Sequence, residues 1–106
     1  MHQIPRQLLD ELKRELRLIY DNRLEGIYLF GSYARGEQDA ESDLDVLIIL
    51  HNYASYSAEV NLTGELISRL SLEYGISISR TFIRESDWQE GDSPLVRNIR
   101  KEVVSA

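Results

Sequence analysis

The sequence predicts a small α/β domain with helices laid against one face of a sheet, on three observations. Apolar residues recur at helical spacing over residues 4–20 and 57–74, and they alternate at strand spacing over 43–50 and 76–83. Glycine, proline and polar clusters punctuate the intervals between these segments. With 106 residues, 42% of them hydrophobic, the chain is sized for one core, so residues 1–106 are read as a single domain.

The elements follow in order. Ile4, Leu8, Leu12, Leu16 and Ile19, flanked by Leu9 and Tyr20, form the apolar stripe of a first helix whose opposite face is charged. Pro5 suits its first turn, where a missing N–H costs nothing. Asp21, Asn22 and Gly26 break the pattern, and the run IYLF over residues 27–30 is a short buried strand leading into Gly31. One helical turn over 33–35 and a polar loop over 36–42 precede the next strand, 43–50. Leu44, Val46, Ile48 and Leu50 fall on one face of that strand; Asp43, Asp45, Leu47 and Ile49 fall on the other. A second helix, 57–74, carries Leu62, Leu66, Ile67, Leu70 and Tyr74 as its core stripe and ends at Gly75 in the C-cap role. Residues 76–83 give a third strand, with Ser77, Ser79 and Thr81 opposite Ile76 and Ile78. After a turn over 86–92, Ser93 is an N-cap, Pro94 a first helical residue, and LVRNIRKEVV a terminal helix. Arg97, Arg100 and Lys101 sit where cations complement the helix dipole.

Composition narrows the functional classes. Twelve Lys and Arg against 18 Asp and Glu give a formal charge of −6, a field that discourages attachment to long nucleic acids or anionic lipid. Cysteine is absent, which excludes disulfides and thiolate metal sites and leaves oxygen or imidazole ligands. The N-terminal MHQIPRQLLDELKRELRLIY lacks the continuous apolar stretch of a signal peptide or membrane span, so a cytoplasmic location is expected.

Chemistry concentrates in residues 31–50, GSYARGEQDAESDLDVLIIL. Gly31 lets backbone N–H groups approach an anion closely and Ser32 adds a hydroxyl donor. Asp43 and Asp45, two apart on a strand, share a face, and a hard ion such as Mg²⁺ is held by one or two carboxylates plus substrate phosphate oxygens. Glu37, Asp39 and Glu41 extend the acidic run, and two carboxylates ~4 Å apart repel by about 4 kcal/mol at an effective dielectric of 20. Arg35 stands where it reaches phosphate, or equally where it neutralises the acidic loop. His51 at the strand's end could act on a substrate but reads more simply as a surface or packing residue, His2 falls in a frayed terminus, and Tyr53, Tyr56 and Tyr74 read as core or rim. Trp88, in a polar stretch, reads as an exposed aromatic marking a contact surface.

The pattern GSYARG, then SDLDV with Asp43 and Asp45, resembles the minimal nucleotidyltransferases of the DNA polymerase-β superfamily. The resemblance implies a mixed sheet, Gly31, Ser32 and Arg35 on the phosphates of ATP, and Asp43 and Asp45 as the Mg²⁺ ligands and the centre of catalysis. It also implies AMP transfer to a hydroxyl, and for stand-alone domains of this size an antitoxin role, with a tyrosine of a HEPN-domain toxin as acceptor and a complex with that partner. One departure stands out. Active members place a third carboxylate on the strand after the second helix, and here that strand offers Ser77, Ser79 and Thr81; Glu73, Glu85 and Asp87 flank it as ordinary helix-end or turn acids. The departure leaves open a binding module that neutralises its partner by occlusion, and an antibiotic nucleotidyltransferase subunit carries the same motif.

Overall fold

The computed structural model describes residues 4–37, 39 and 42–106. His2 and Glu41 lie outside the described residues. Helix α1 (Arg6–Tyr20) leads through one 3₁₀ turn (Asp21–Arg23) into strand β1 (Leu24–Phe30), which ends at the short helix α2 (Gly31–Arg35). Strand β2 (Leu44–Leu50), helix α3 (Tyr56–Tyr74) and strand β3 (Ile78–Arg84) follow, and then helices α4 (Glu85–Glu90) and α5 (Pro94–Arg100) and strand β4 (Val104–Ser105). The sheet order is β3-β2-β1-β4; β2 and β3 are parallel, and β1 is antiparallel to both β2 and β4. This is the small mixed sheet expected.

The two long helices pack on one face. Leu44, Val46, Ile48 and Leu50, fully buried on that side of β2, meet Leu8, Leu12 and Leu16 of α1 and Leu66, Ile67 and Leu70 of α3. Alternation sends Leu47 and Ile49 to the other face, where they join Ile83 with Val96 and Ile99 of α5. Asp45 therefore opens onto the face that the long helices leave free.

Several boundaries differ from the sequence reading for physical reasons. The core stripe of α3 excludes Leu62, which is 51% exposed, and buries Glu59 and Thr63 instead. Those two polar residues are tolerated because each meets a partner: Glu59 Oε2 is 2.9 Å from Arg23 Nη2, and Thr63 Oγ1 accepts from Arg80 Nε at 2.7 Å. Beside them, Tyr20 Oη and Glu59 Oε1 make no hydrogen bond of good geometry, yet burial and the Glu59 carboxylate drive the Tyr20 hydroxyl far above its ordinary range. Helix α4, residues 85–90, replaces most of the turn expected over 86–92 and carries Trp88 inward, where it stacks on Tyr28 at 5.9 Å with the Arg100 guanidinium 4.9 Å from its ring. Trp88 is thus a packing residue rather than an exposed contact. The last helix stops at Arg100, because residues 104–105 pair with Leu29 and Tyr28 of β1. The Ser93 N-cap (its Oγ accepts from Val96 N at 3.0 Å), Pro94 at the first turn and the Gly75 C-cap at φ +65° stand as read.

Candidate active site at the end of β1 and the start of β2

Antiparallel pairing puts the end of β1 beside the start of β2, with Phe30 opposite Asp45, and parallel pairing adds Ser79 of β3 in the same row. Three chain segments thereby meet at one end of the sheet. Gly31, next after Phe30, has φ +76°, a conformation natural to glycine. A side chain here is also blocked in space, since a Cβ on Gly31 would overlap Asp45 Oδ2. The sequence pairing of a glycine turn with a strand aspartate thus has a direct cause: the carboxylate lies against the glycine backbone.

Asp43 stands exposed just ahead of β2, which begins at Leu44 rather than at residue 43, and Asp45 is half-buried within the strand. Burial pushes the Asp45 carboxyl above its ordinary range, the charges of Asp43 and Glu102 push it further, and Arg35 partly offsets them. An excess of negative charge on oxygen donors suits a hard divalent cation, so Asp43 and Asp45 fit Mg²⁺. Ser32 is half-buried in α2, whose last turn closes with Gly36 and Glu37 N–H groups donating to the Ser32 carbonyl.

Arg35 does not stand free. Its Nε is 3.0 Å from Glu37 Oε2 and its Nη1 is 2.8 Å from Glu102 Oε2, so it serves the acidic loop and also reaches into the site. The second of those partners is the residue that sequence reasoning missed. Glu102, two residues beyond α5, also accepts from Gly31 N at 3.0 Å through Oε1. These two donors hold its carboxyl below its ordinary range. No spacing pattern links Glu102 to residues 31–45; only the return of the chain to pair with β1 brings them together.

The flanking acids are elsewhere. Glu85 lies 2.5 Å from His51 Nδ1, and Glu25 lies 3.3 Å from His51 Nε2, at the opposite end of β2. Each ring nitrogen faces its own carboxylate, so the cluster pairs a histidine. Glu73 extends from α3 toward Arg69, and Asp87 lies 3.9 Å from Arg84. Two hollows, of about 500 and 420 Å³, lie along the β1 edge against Lys13 and Arg17 and between Tyr53, Phe82 and Leu95. Neither includes Gly31, Asp43 or Asp45 in its lining.

Residues 5–101 match the family described as polymerase beta, nucleotidyltransferase. The chain belongs to this family. A proposed protein adenylyltransferase of Methanocaldococcus jannaschii is 38% identical over 73 residues, which cover 69% of this chain and 73% of that protein. Among solved structures, a toxin-antitoxin complex with AMP-PNP superposes with TM-score 0.65 at 20% identity, covering 96% of this chain and 72% of that one. A tri-AMPylated Shewanella oneidensis HEPN toxin with its MNT antitoxin gives TM-score 0.59 at 16% identity, covering 93% and 68%. These structural likenesses bear on the fold, and they agree with the small mixed sheet and flanking helices described above. Among the described residues no helix is long and apolar enough to cross a membrane.

Proposed function

We propose that the protein is a Mg²⁺-dependent adenylyltransferase that moves AMP from ATP to a hydroxyl, with a tyrosine of a HEPN-type toxin as the acceptor. The observation that carries the reading is the contact of Asp45 with the Gly31 backbone inside a chain matched by the nucleotidyltransferase family. In the transfer, the acceptor oxygen attacks the α-phosphorus, the bond from that phosphorus to the bridging oxygen breaks, and pyrophosphate leaves. The hydroxyl proton passes to solvent. Gly31 N–H and the Ser32 hydroxyl bind the β- and γ-phosphates, and Arg35 lends positive charge beside them. Asp43 and Asp45 would hold Mg²⁺, which when bound screens the triphosphate and draws electron density from the phosphorus. The relatives' names support adenylyl transfer to protein, and the toxin-antitoxin neighbours support the partner class. A cytoplasmic location goes with that partner.

A second reading has its own observation. The position opposite Asp45 on β3 is Ser79, with Thr81 two residues on, and a neutral hydroxyl is a poor Mg²⁺ ligand and a poor base near pH 7. A chain that keeps the phosphate turn without turnover would neutralise its partner by binding alone. Labelled ATP with Mg²⁺ and the protein encoded by the adjacent reading frame separates the two. Label on that partner, lost in the Asp43→Asn, Asp45→Asn double variant, supports transfer, whereas a tight complex that never takes label supports the binder. Failure of wild type to bind ATP at millimolar concentration overturns both.

A further inference from the structure

The donors assigned above to phosphate already hold an anion supplied by the chain itself. Glu102 takes the Gly31 N–H with one carboxylate oxygen (3.0 Å) and the Arg35 guanidinium with the other (2.8 Å). Each carboxylate oxygen thus accepts one of the two donors. The position is also electrostatically unfavourable, since Glu102 faces Asp45, which has Asp43 nearby. A carboxylate persists there only because Gly31 and Arg35 hold it.

We propose that Glu102 is an internal competitor for the nucleotide, and that residues 102–106 close the site at rest and withdraw when a triphosphate displaces that carboxylate. The proposal rests on the nucleotidyl-transfer reading above. The anchoring of this segment is light enough to release. Glu102 N donates to Ile99 O at 3.0 Å as the last bond of the α5 end, and Val104 and Ser105 pair with Leu29 and Tyr28. Ala106 N donates to Ile27 O at 3.3 Å, and Ala106 O accepts from Lys13 Nζ at 3.1 Å. Val103 lies against the second core cluster and Ala106 against the first, both only partly buried, while Val104 and Ser105 are exposed. A short edge segment with few buried contacts opens at a small fraction of the global unfolding free energy. Arg35 also has a second partner besides Glu102, because its Nε lies 3.0 Å from Glu37 Oε2. A triphosphate brings more acceptor oxygens and more charge than one carboxylate, so it takes over both donors.

Competition of this kind lowers apparent affinity by the fraction of molecules in the closed state. The test is titration of the full chain with AMP-PNP and Mg²⁺ by calorimetry, for wild type, Glu102→Gln and Glu102→Ala. Both variants should bind tighter than wild type, by about threefold or more. Hydrogen exchange on wild type supplies a readout that needs no variant: the Ala106 amide should exchange faster with AMP-PNP and Mg²⁺ bound, while the amides of β2 stay protected. Unchanged or weaker binding in the variants, or unchanged exchange at Ala106, overturns the competitor and leaves nucleotide binding standing. Weaker binding would instead mark Glu102 as a metal or substrate ligand. Absence of binding by wild type and both variants overturns the competitor and the nucleotidyl-transfer reading together.

Discussion

Replacing Gly31 with alanine tests the geometry on which the site depends. Two costs add. An L-residue in the left-handed region, as φ +76° demands, costs roughly 1–2 kcal/mol. The new Cβ would also overlap Asp45 Oδ2, forcing that carboxylate off its preferred rotamer at a further ~0.5–1.5 kcal/mol. The sum, about 1.5–3.5 kcal/mol, corresponds to a melting temperature lower by roughly 6–28 °C for a domain of this size. Urea unfolding of Gly31→Ala, Asp45→Ala and the double variant separates the two parts. With alanine at 45 the overlapping oxygen is gone, and the nearest remaining side-chain atom, Asp45 Cβ, is 3.4 Å from the built Cβ, an ordinary contact. The glycine substitution should then cost only the backbone share, leaving a coupling of about 0.5–1.5 kcal/mol in the double-mutant cycle. A Gly31→Ala cost under about 0.5 kcal/mol, or the same cost in both backgrounds, refutes the contact.

Three further outcomes follow from the same structure. Burial first, then Asp43 and Glu102, raise the folded-state pKa of Asp45, so its ionised form costs stability at neutral pH; Asp45→Asn should raise the melting temperature at pH 7, and the gain should fade as pH falls through that raised pKa toward the unfolded value near ~3.9. Glu102 runs the opposite way: its lowered pKa gives stability that is present above the unfolded value near ~4.3 and lost as pH falls through the folded one, so the stability deficit of Glu102→Gln at pH 6 should vanish by strong acid and shrink with salt. On α3, Leu62→Ala should change stability by less than about 0.5 kcal/mol, whereas Leu70→Ala, at a fully buried position, should cost about 2–5 kcal/mol in denaturant unfolding.

Local rules made most of the fold legible. The α1 stripe, the β2 alternation and the caps at Ser93 and Gly75 depend on neighbours within a turn or a pleat, and those neighbours are visible in sequence. The misplaced elements depend on distant groups. Leu62 has the right spacing for a core residue, yet Arg80 of β3 and Arg23 before β1 supply partners that let Thr63 and Glu59 take the buried face. The polar sequence neighbours of Trp88 suggest exposure, but Tyr28 of β1 stacks on its ring and the Arg100 guanidinium of α5 lies over it. The site divides the same way. Gly31 and Asp45 are joined by adjacent strand ends and could be paired from spacing, whereas Glu102 enters through an edge strand of two residues, too short to leave a periodic signal.

Charge balance at the site constrains the order of events. At rest the charges of Asp43 and Glu102 act on Asp45, the Arg35 guanidinium only partly offsets them, and the protein as a whole carries a formal charge of −6. A bare triphosphate arriving there would meet carboxylates at a cost of about 4 kcal/mol for each unit pair at ~4 Å and an effective dielectric of 20. On the proposed reading, expelling Glu102 would remove one of those repulsions, and a cation held by Asp43 and Asp45 would turn the other two into attraction. On the proposed reading, metal and nucleotide therefore bind with positive coupling, each raising the affinity of the other by the same factor. Chelating the metal should weaken AMP-PNP binding in Glu102→Gln as well as in wild type, because removing the competing carboxylate leaves the two aspartates still facing the phosphates.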